Sequence, residues 1–150
     1  MKLRAAVYCA FAALFCWSGS VFATSAGAFH PQAATDATYI ANYGAYVRNT
    51  DSTSAHAVAV DLGGNVGYPE TVTFSGVNNG GTITCWVYFV NQSTLNITTY
   101  SGTNSTNGLF NNLSITFPGS SGATYSVSAV CSIPPHSANG YSNIYFVNGS

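Results

Sequence analysis

The residues of this chain that can do chemistry are few, and none of them forms a local catalytic or metal-binding motif. The three histidines, His30, His56 and His136, lie far apart and lack the spacing of a zinc-ligand pair. The segment 119–122 carries two serines between glycines but lacks the Gly-x-Ser-x-Gly turn of a serine hydrolase, so it predicts a hairpin turn. We therefore expect no metal ion, no other cofactor and no catalytic nucleophile.

The acidic residues are the remaining candidates for catalysis or cation binding. A glycosidase needs two carboxyl groups about 5 to 9 Å apart in a cleft. Asp51, Asp61 and Glu70 are the available acids besides Asp36, which lies near the N-terminal segment. Asp51 and Asp61 stand among Asn, Thr and Gly residues, where Asp side chains commonly cap turns. Turn capping is the favoured interpretation, while a small hydrolase and calcium binding stay open as alternatives.

Aromatic side chains offer a different chemistry, because their faces stack on sugar rings and on apolar partner surfaces. The chain has 10 Tyr, 9 Phe and 2 Trp residues. In the predicted strand 82–90, alternation places Trp86 and Tyr88 together on the face opposite Cys85. If this face is open, the two rings form a flat binding surface; if a loop covers it, they are structural. We expect partial exposure, with Trp86 under a loop and Tyr88 at the rim.

The cysteines indicate the compartment and a covalent bond. Cys9 and Cys16 lie in the apolar N-terminal segment, whereas Cys85 and Cys131 each lie on the more apolar face of a predicted strand. Because both cysteines lie on the apolar faces of their strands, we predict a buried disulfide between Cys85 and Cys131 across the core of an exported domain. A disulfide that closes the long loop between Cys85 and Cys131 stabilises the fold by about 4 kcal/mol in the chain-entropy model.

The segment 1–23 has the features of a cleaved signal peptide. Lys2 and Arg4 precede an uncharged apolar run over 5–17, and Val21 and Ala23 suit a cleavage site. The run is shorter than the roughly 20 residues that span a membrane. A lipid anchor on Cys16 is disfavoured because the bulky Phe15 precedes it. We therefore expect export to the periplasm or the medium, with no membrane span after cleavage.

The low charge of the chain excludes several classes of partner. Charged residues make up 5% of the sequence, and removal of 1–23 leaves Arg48 as the one basic residue against four acidic residues. A single arginine cannot neutralise a phosphate backbone, so nucleic-acid binding is excluded. A basic helix lying on a membrane surface is excluded for the same reason.

The rest of the chain predicts an all-β protein. After a flexible arm over 24–35, residues 36–150 show short apolar runs separated by Gly, Asn and Pro, which is typical of a sandwich. We predict a single antiparallel β-sandwich, jelly-roll or immunoglobulin-like, with about eight strands. The predicted strands are 38–48, 54–62, 70–75, 82–90, 95–100, 109–117, 124–132 and 143–147.

Two stretches carry a family resemblance. Residues 125–135, followed by 141–147, resemble the C-terminal end of a group of small secreted proteobacterial β-sandwich proteins of uncharacterised activity, and 82–88 is similar to their central strand. The resemblance implies an exported β domain and no particular activity. Members often carry another cysteine near the end of the second strand, where this chain has Ala57 and Ala59, so it implies no second disulfide.

Three functions fit these features. The favoured one is a non-catalytic exported β-sandwich that binds a glycan or a surface partner through Trp86 and Tyr88. A structural surface or adhesin-type subunit is the first alternative, and it would need a long unpaired edge strand. A small secreted hydrolase is the second alternative, and it would need two adjacent acids in a cleft.

Overall fold

The structure is a computed structural model that describes residues 22–66, 70–119 and 123–149. The predicted signal peptide therefore lies outside the described residues, apart from its last two positions. No helix in these three ranges is both long and apolar enough to cross a membrane.

The described part of the chain consists almost entirely of β structure. Its two short 3₁₀ turns cover Ala26–Ala28 and Asp36–Thr38, so no described helix exceeds one turn. Eleven strands are described: β1 (Phe22–Ser25), β2 (His30–Pro31), β3 (Ile40–Asn42), β4 (Val47–Asn49), β5 (His56–Val66), β6 (Glu70–Asn78), β7 (Ile83–Asn91), β8 (Ile97–Asn104), β9 (Gly108–Phe117), β10 (Tyr125–Ile133) and β11 (Asn143–Gly149).

The strands form two antiparallel sheets. The five-stranded sheet has the order β2-β5-β10-β7-β8, and the six-stranded sheet has the order β3-β4-β11-β6-β9, with β1 also paired to β11. Buried residues from both sheets form one core. Phe89 of β7 stacks on Phe117 of β9 with ring centroids 4.2 Å apart, which joins the two layers. The structure thus confirms the predicted all-β antiparallel sandwich.

Strict alternation of buried and half-buried residues explains why β7 and β10 contribute to this core. In β7, Ile83, Cys85, Val87 and Phe89 are buried, while the residues between them are half-buried on the other face. β10 shows the same alternation over its whole length. Because successive side chains of a strand point to opposite faces, each of these strands has one face in the core and one outside.

The predicted disulfide is confirmed, but its position is different from the expected one. Cys85 and Cys131 are direct partners in the β7–β10 pair, with Cα atoms 4.1 Å apart, and both are fully buried. The bond therefore joins neighbouring strands of one sheet and does not connect the two sheets across the core. The pairing of β10 with β7 could not be read from the alternation of either strand.

The N-terminal third differs most from the prediction. The expected strand 38–48 is wrong, because the chain turns between β3 and β4 at Gly44, which has a φ of +77°. The segment 24–35 packs on both sheets, since β1 pairs with β11 and β2 pairs with β5. Phe29 lies between them and is only 3% exposed, and its burial is a physical reason for this attachment.

Candidate functional site

The outer face of the five-stranded sheet carries the two predicted binding residues. Trp86 and Tyr88 both point outward from β7 and are half-buried, as their position opposite the buried Cys85 predicts. Among the described residues, no aromatic ring stacks on either of them, and the Tyr88 hydroxyl has no hydrogen-bond partner. Both rings are therefore partly accessible, side by side along one strand.

Small and polar residues surround this aromatic pair on the neighbouring strands. Trp86 is opposite Ser101 of β8, and Tyr88 is opposite Thr99; both of these hydroxyl residues are exposed. On the other side, Trp86 is opposite Val130 of β10. Short side chains on both flanks leave the faces and edges of the two rings open to a ligand that lies across the strands.

A shallow groove begins next to the aromatic pair and runs over β10 and β5. Its volume is about 360 Å³, and its floor is made of small residues such as Ala59 and Ser128. Asp61 and His30 stand at its far side, where Asp61 is opposite Ser128 and His30 is opposite Ala59. Because neighbouring strands lie about 4.8 Å apart, the distance from β7 to β2 is about 14 Å.

The polar groups of the groove are mainly neutral. Ser126 and Ser128 supply hydroxyl groups, and Ser126 Oγ accepts a hydrogen bond from Gln92 Nε2 at 3.1 Å. Asp61 is the one carboxylate among the described lining residues. Its Oδ1 accepts a hydrogen bond from the Gly63 amide at 2.9 Å, as the predicted turn-capping role requires. The groove therefore suits ligands that offer hydroxyl groups more than it suits ions.

A second cluster brings together three residues that are far apart in the sequence. His56, at the start of β5, forms a hydrogen bond from Nδ1 to Asp36 Oδ1 at 2.8 Å and from Nε2 to Asp51 Oδ2 at 3.0 Å. The three side chains are 11–14% exposed. Tyr39 stacks on the His56 ring with centroids 4.5 Å apart. We call Asp36, Asp51 and His56 the histidine clamp.

The two carboxylates favour the charged form of His56. Burial alone would lower the pKa of His56, but the hydrogen bonds that it donates to Asp51 and Asp36 outweigh burial and raise that pKa. The pKa of Asp51 is lowered by its hydrogen bond with His56 and by those from the backbone and hydroxyl of Thr53. The pKa of Asp36 is lowered too, because its hydrogen bonds outweigh the effect of burial.

This arrangement suits a structural role better than catalysis. A general base needs a free ring nitrogen within reach of a substrate proton, and both nitrogens of His56 are occupied. Asp51 Oδ1 also accepts from the Thr53 amide and hydroxyl at 2.8 Å, which is the turn capping that the sequence predicts. The clamp thus fastens the Asp36–Thr38 turn and the β4–β5 loop to the start of β5.

Alternation in the sequence predicted the orientation of the residues in one candidate site and gave no signal for the histidine clamp. Trp86 and Tyr88 could be found from alternation alone, whereas His30 and Asp61 reach the groove only through strand pairing. His136 lies elsewhere, with its ring 5.0 Å from that of Tyr141. Nothing in the spacing of residues 36, 51 and 56 signals the clamp. Within the described ranges, no group of three or more His, Cys, Asp and Glu side chains is placed to hold a metal ion.

Neither a protein-family model nor a curated protein sequence matches this chain. Among solved structures, the xylan-binding module CBM86 from Roseburia intestinalis is 12% identical, with a TM-score of 0.43 over 88% of this chain and 96% of the module. CBM35 from Paenibacillus barcinonensis is 12% identical, with a TM-score of 0.40 over 85% and 97%. The enzymatically active domain of tailspike protein 4 from bacteriophage CBA120 is 12% identical, with a TM-score of 0.47 over 87% and 19%. Carbohydrate-binding modules are thus among the structural neighbours, but similarity at this level assigns no ligand or activity to this chain.

Proposed function

We propose that this protein is a non-catalytic, exported β-sandwich that binds a neutral glycan on the outer face of its five-stranded sheet. The observation that carries the proposal is the half-exposed pair of Trp86 and Tyr88 next to the groove. Trp and Tyr are often only partly buried, and two such rings side by side on one strand present a surface on which a ligand can stack.

The chemistry of the face favours a sugar over other small ligands. A pyranose ring presents an apolar C–H face that stacks on an aromatic ring, and its edge presents hydroxyl groups that both donate and accept hydrogen bonds. Trp86 and Tyr88 supply the stacking surface, while Ser101, Ser126 and Ser128 supply small polar partners. No described lysine or arginine lines the groove, so a phosphorylated or sulfated ligand has no counter-ion there.

The disulfide supports the proposed compartment. A fully buried bond between Cys85 and Cys131 forms and persists in an oxidising environment, such as the periplasm or the extracellular medium. The predicted signal peptide over 1–23 provides the route of export.

A structural surface subunit is a second candidate, and one observation favours it. β8 and β9 lie at the ends of their sheets, and neither strand contains a charged residue or a proline. Such edges are open to pairing with a further strand. Self-association that depends on the β9 edge would support this candidate. The hydrolase alternative has less support, because Asp36 and Asp51 are bound to His56 while Asp61 lies on the outer groove.

The proposal is tested by screening the protein on a glycan array and measuring the hits by affinity electrophoresis. We expect retardation by at least one neutral polysaccharide. Trp86→Ala and Tyr88→Ala should each abolish it, because each removes half of the stacking surface. Tyr39→Ala is the matched control, since Tyr39 is 40% exposed but lies outside the groove.

Two results would contradict the proposal. One is the absence of any glycan ligand for a protein whose circular dichroism shows a folded β structure. The other is retardation that Trp86→Ala and Tyr88→Ala leave unchanged while both variants keep the thermal stability of a folded domain.

A further inference from the structure

The outer face of the six-stranded sheet carries a second cluster of aromatic residues around the arginine of β4. Arg48 points away from the core between the buried Val47 and Asn49. The Tyr43 and Tyr46 rings stack on each other with centroids 4.8 Å apart. Tyr141 precedes β11, the strand that pairs with β4. We call Tyr43, Tyr46, Arg48 and Tyr141 the tyrosine–arginine cluster.

Three tyrosine rings contact the guanidinium group. Its central carbon lies 4.1 Å from the centroid of the Tyr141 ring, 4.7 Å from that of Tyr43 and 5.9 Å from that of Tyr46. These contacts are cation–π interactions. The N–H groups of a guanidinium lie in its plane, and they are the groups that bind a carboxylate.

The charge of Arg48 is not balanced by a described carboxylate. Arg48 is the single Lys or Arg in the described part of the chain, and the described ion pairs all belong to the histidine clamp. Asp36 and Asp51 are held by His56, and Asp61 lies on the outer face of the other sheet. The Arg48 side chain therefore lies among aromatic rings and has no described acidic partner.

The hydrogen bonds of the cluster are also incomplete. One Nη of Arg48 donates to the Tyr43 hydroxyl at 2.8 Å, at the exposed end of the side chain. Arg48 Nε is buried and has no acceptor among the described residues. Asn143, the direct partner of Arg48 across β4 and β11, likewise has a buried Oδ1 without a donor. A buried donor and a buried acceptor without described hydrogen-bond partners therefore lie on two opposed residues, and a hydroxyl group can serve both kinds of atom.

An apolar groove extends this cluster along the sheet. Tyr46 contacts the Tyr145 ring edge-on with centroids 6.3 Å apart, and Tyr145 lines a groove of about 480 Å³. Phe146 and Leu109 also line this groove, and they are 40% and 82% exposed. The outer face thus combines one cation, stacked rings and an adjoining cleft.

We propose that the tyrosine–arginine cluster is a second saccharide-binding site, and that it takes an acidic sugar of the uronate class. The carboxylate of the uronate would pair with the Nη N–H groups of Arg48 that do not donate to the Tyr43 hydroxyl. The exposed part of Tyr43 would contact the sugar ring, and the next residues of the oligosaccharide would run past Tyr145 into the groove. This inference rests on residues of the six-stranded sheet and is independent of the proposed neutral-glycan site.

Isothermal titration calorimetry of the full chain with oligogalacturonate and oligoglucuronate tests this proposal. We expect at least one of them to bind, and its methyl ester to bind about tenfold or more weakly, because esterification removes the charge-assisted hydrogen bonds. Arg48→Gln and Tyr43→Ala should each weaken binding of the acid to a similar extent. Added salt should weaken it further.

Tyr43→Ala keeps the test valid even if Arg48→Gln destabilises the fold, because Tyr43 is 52% exposed. Tyr39→Ala is again the matched control, and it should bind the acid as the unaltered protein does. The proposal is wrong if neither oligouronate binds at millimolar concentration, or if the acid and its ester bind equally. It is also wrong if Tyr43→Ala leaves the affinity for the acid unchanged.

Discussion

Cys85 and Trp86 are neighbours in β7 whose side chains point to opposite sides of the five-stranded sheet. Cys85 is fully buried in its bond to Cys131, and Trp86 is half-buried on the outer face. Trp86 lies opposite Val130, the residue that precedes Cys131. The disulfide therefore fixes the β7–β10 register that places the Trp86 ring beside the groove. A covalent bond inside the protein thus helps to position the candidate binding surface outside it.

Removal of this bond should destabilise the protein strongly. The bond closes a loop with a sequence separation of 46 residues. We expect the double variant Cys85→Ala and Cys131→Ala to lose about 2–5 kcal/mol of unfolding free energy, since native disulfides of small exported domains contribute this much. Urea unfolding followed by circular dichroism measures the loss. An unchanged unfolding midpoint would show that strand packing alone sets the register.

The histidine clamp should make stability depend on pH in a defined direction. Because the pKa of His56 is raised in the folded protein, its contribution is fully present below its ordinary value of 6.5 and is lost as pH rises through the raised pKa. Because the pKa values of Asp36 and Asp51 are lowered, their contribution is present above their ordinary value of 3.8 and is lost as pH falls through the lowered values. The clamp should stabilise most between these two ordinary values.

His56→Gln isolates this effect from the other titrating groups. We expect the difference in Tm between the unaltered protein and His56→Gln to be largest between about pH 4 and 6.5, and to shrink on both sides. Differential scanning fluorimetry over a pH series provides the measurement. A difference that stays constant with pH would mean that His56 contributes through packing against Tyr39 and not through its charge.

Gly76 of β6 should tolerate no side chain. A methyl group there would overlap with the backbone oxygen of Asn143 and would lie 2.9 Å from the Phe110 ring. We expect Gly76→Ala to cost about 1–3 kcal/mol, as overpacking of a filled interior does. Thr73→Ala on the same strand should cost less than about 1 kcal/mol, since it removes only an exposed hydrogen bond to Ser114. Equal unfolding midpoints for these two variants would contradict this packing.

Local sequence patterns predicted the strands whose faces differ clearly in polarity. β7, β9 and β10 begin and end within one residue of the predicted ranges, because their alternation and the Gly, Asn and Pro residues between them are unambiguous. The region before β5 was predicted poorly. Its strands have two to four residues each, too few for alternation to show, and Gly44 turns the chain where a continuous strand was expected.

Local sequence patterns do not show which residues, distant in the sequence, come together in the fold. The orientation of Trp86 and Tyr88 follows from the sequence, because one buried cysteine fixes the face of every residue in β7. The clamp and the tyrosine–arginine cluster depend on which strands pair, and alternation does not contain that information. The disulfide shows the same limit: its two cysteines could be paired from their positions, but their shared sheet could not be predicted.

The most direct test of glycan binding uses Trp86 itself as the probe. The chain has two tryptophans, and the predicted cleavage after Ala23 removes Trp17, so Trp86 is the one emitter of the mature protein. Titration with cello-, xylo- and manno-oligosaccharides, followed by acrylamide quenching, reports on the environment of its indole. We predict that at least one of these ligands shifts the emission to the blue and protects Trp86 from quenching, and that Tyr88→Ala abolishes both effects. Binding of a neutral oligosaccharide that leaves the emission and quenching of Trp86 unchanged would contradict the proposed site.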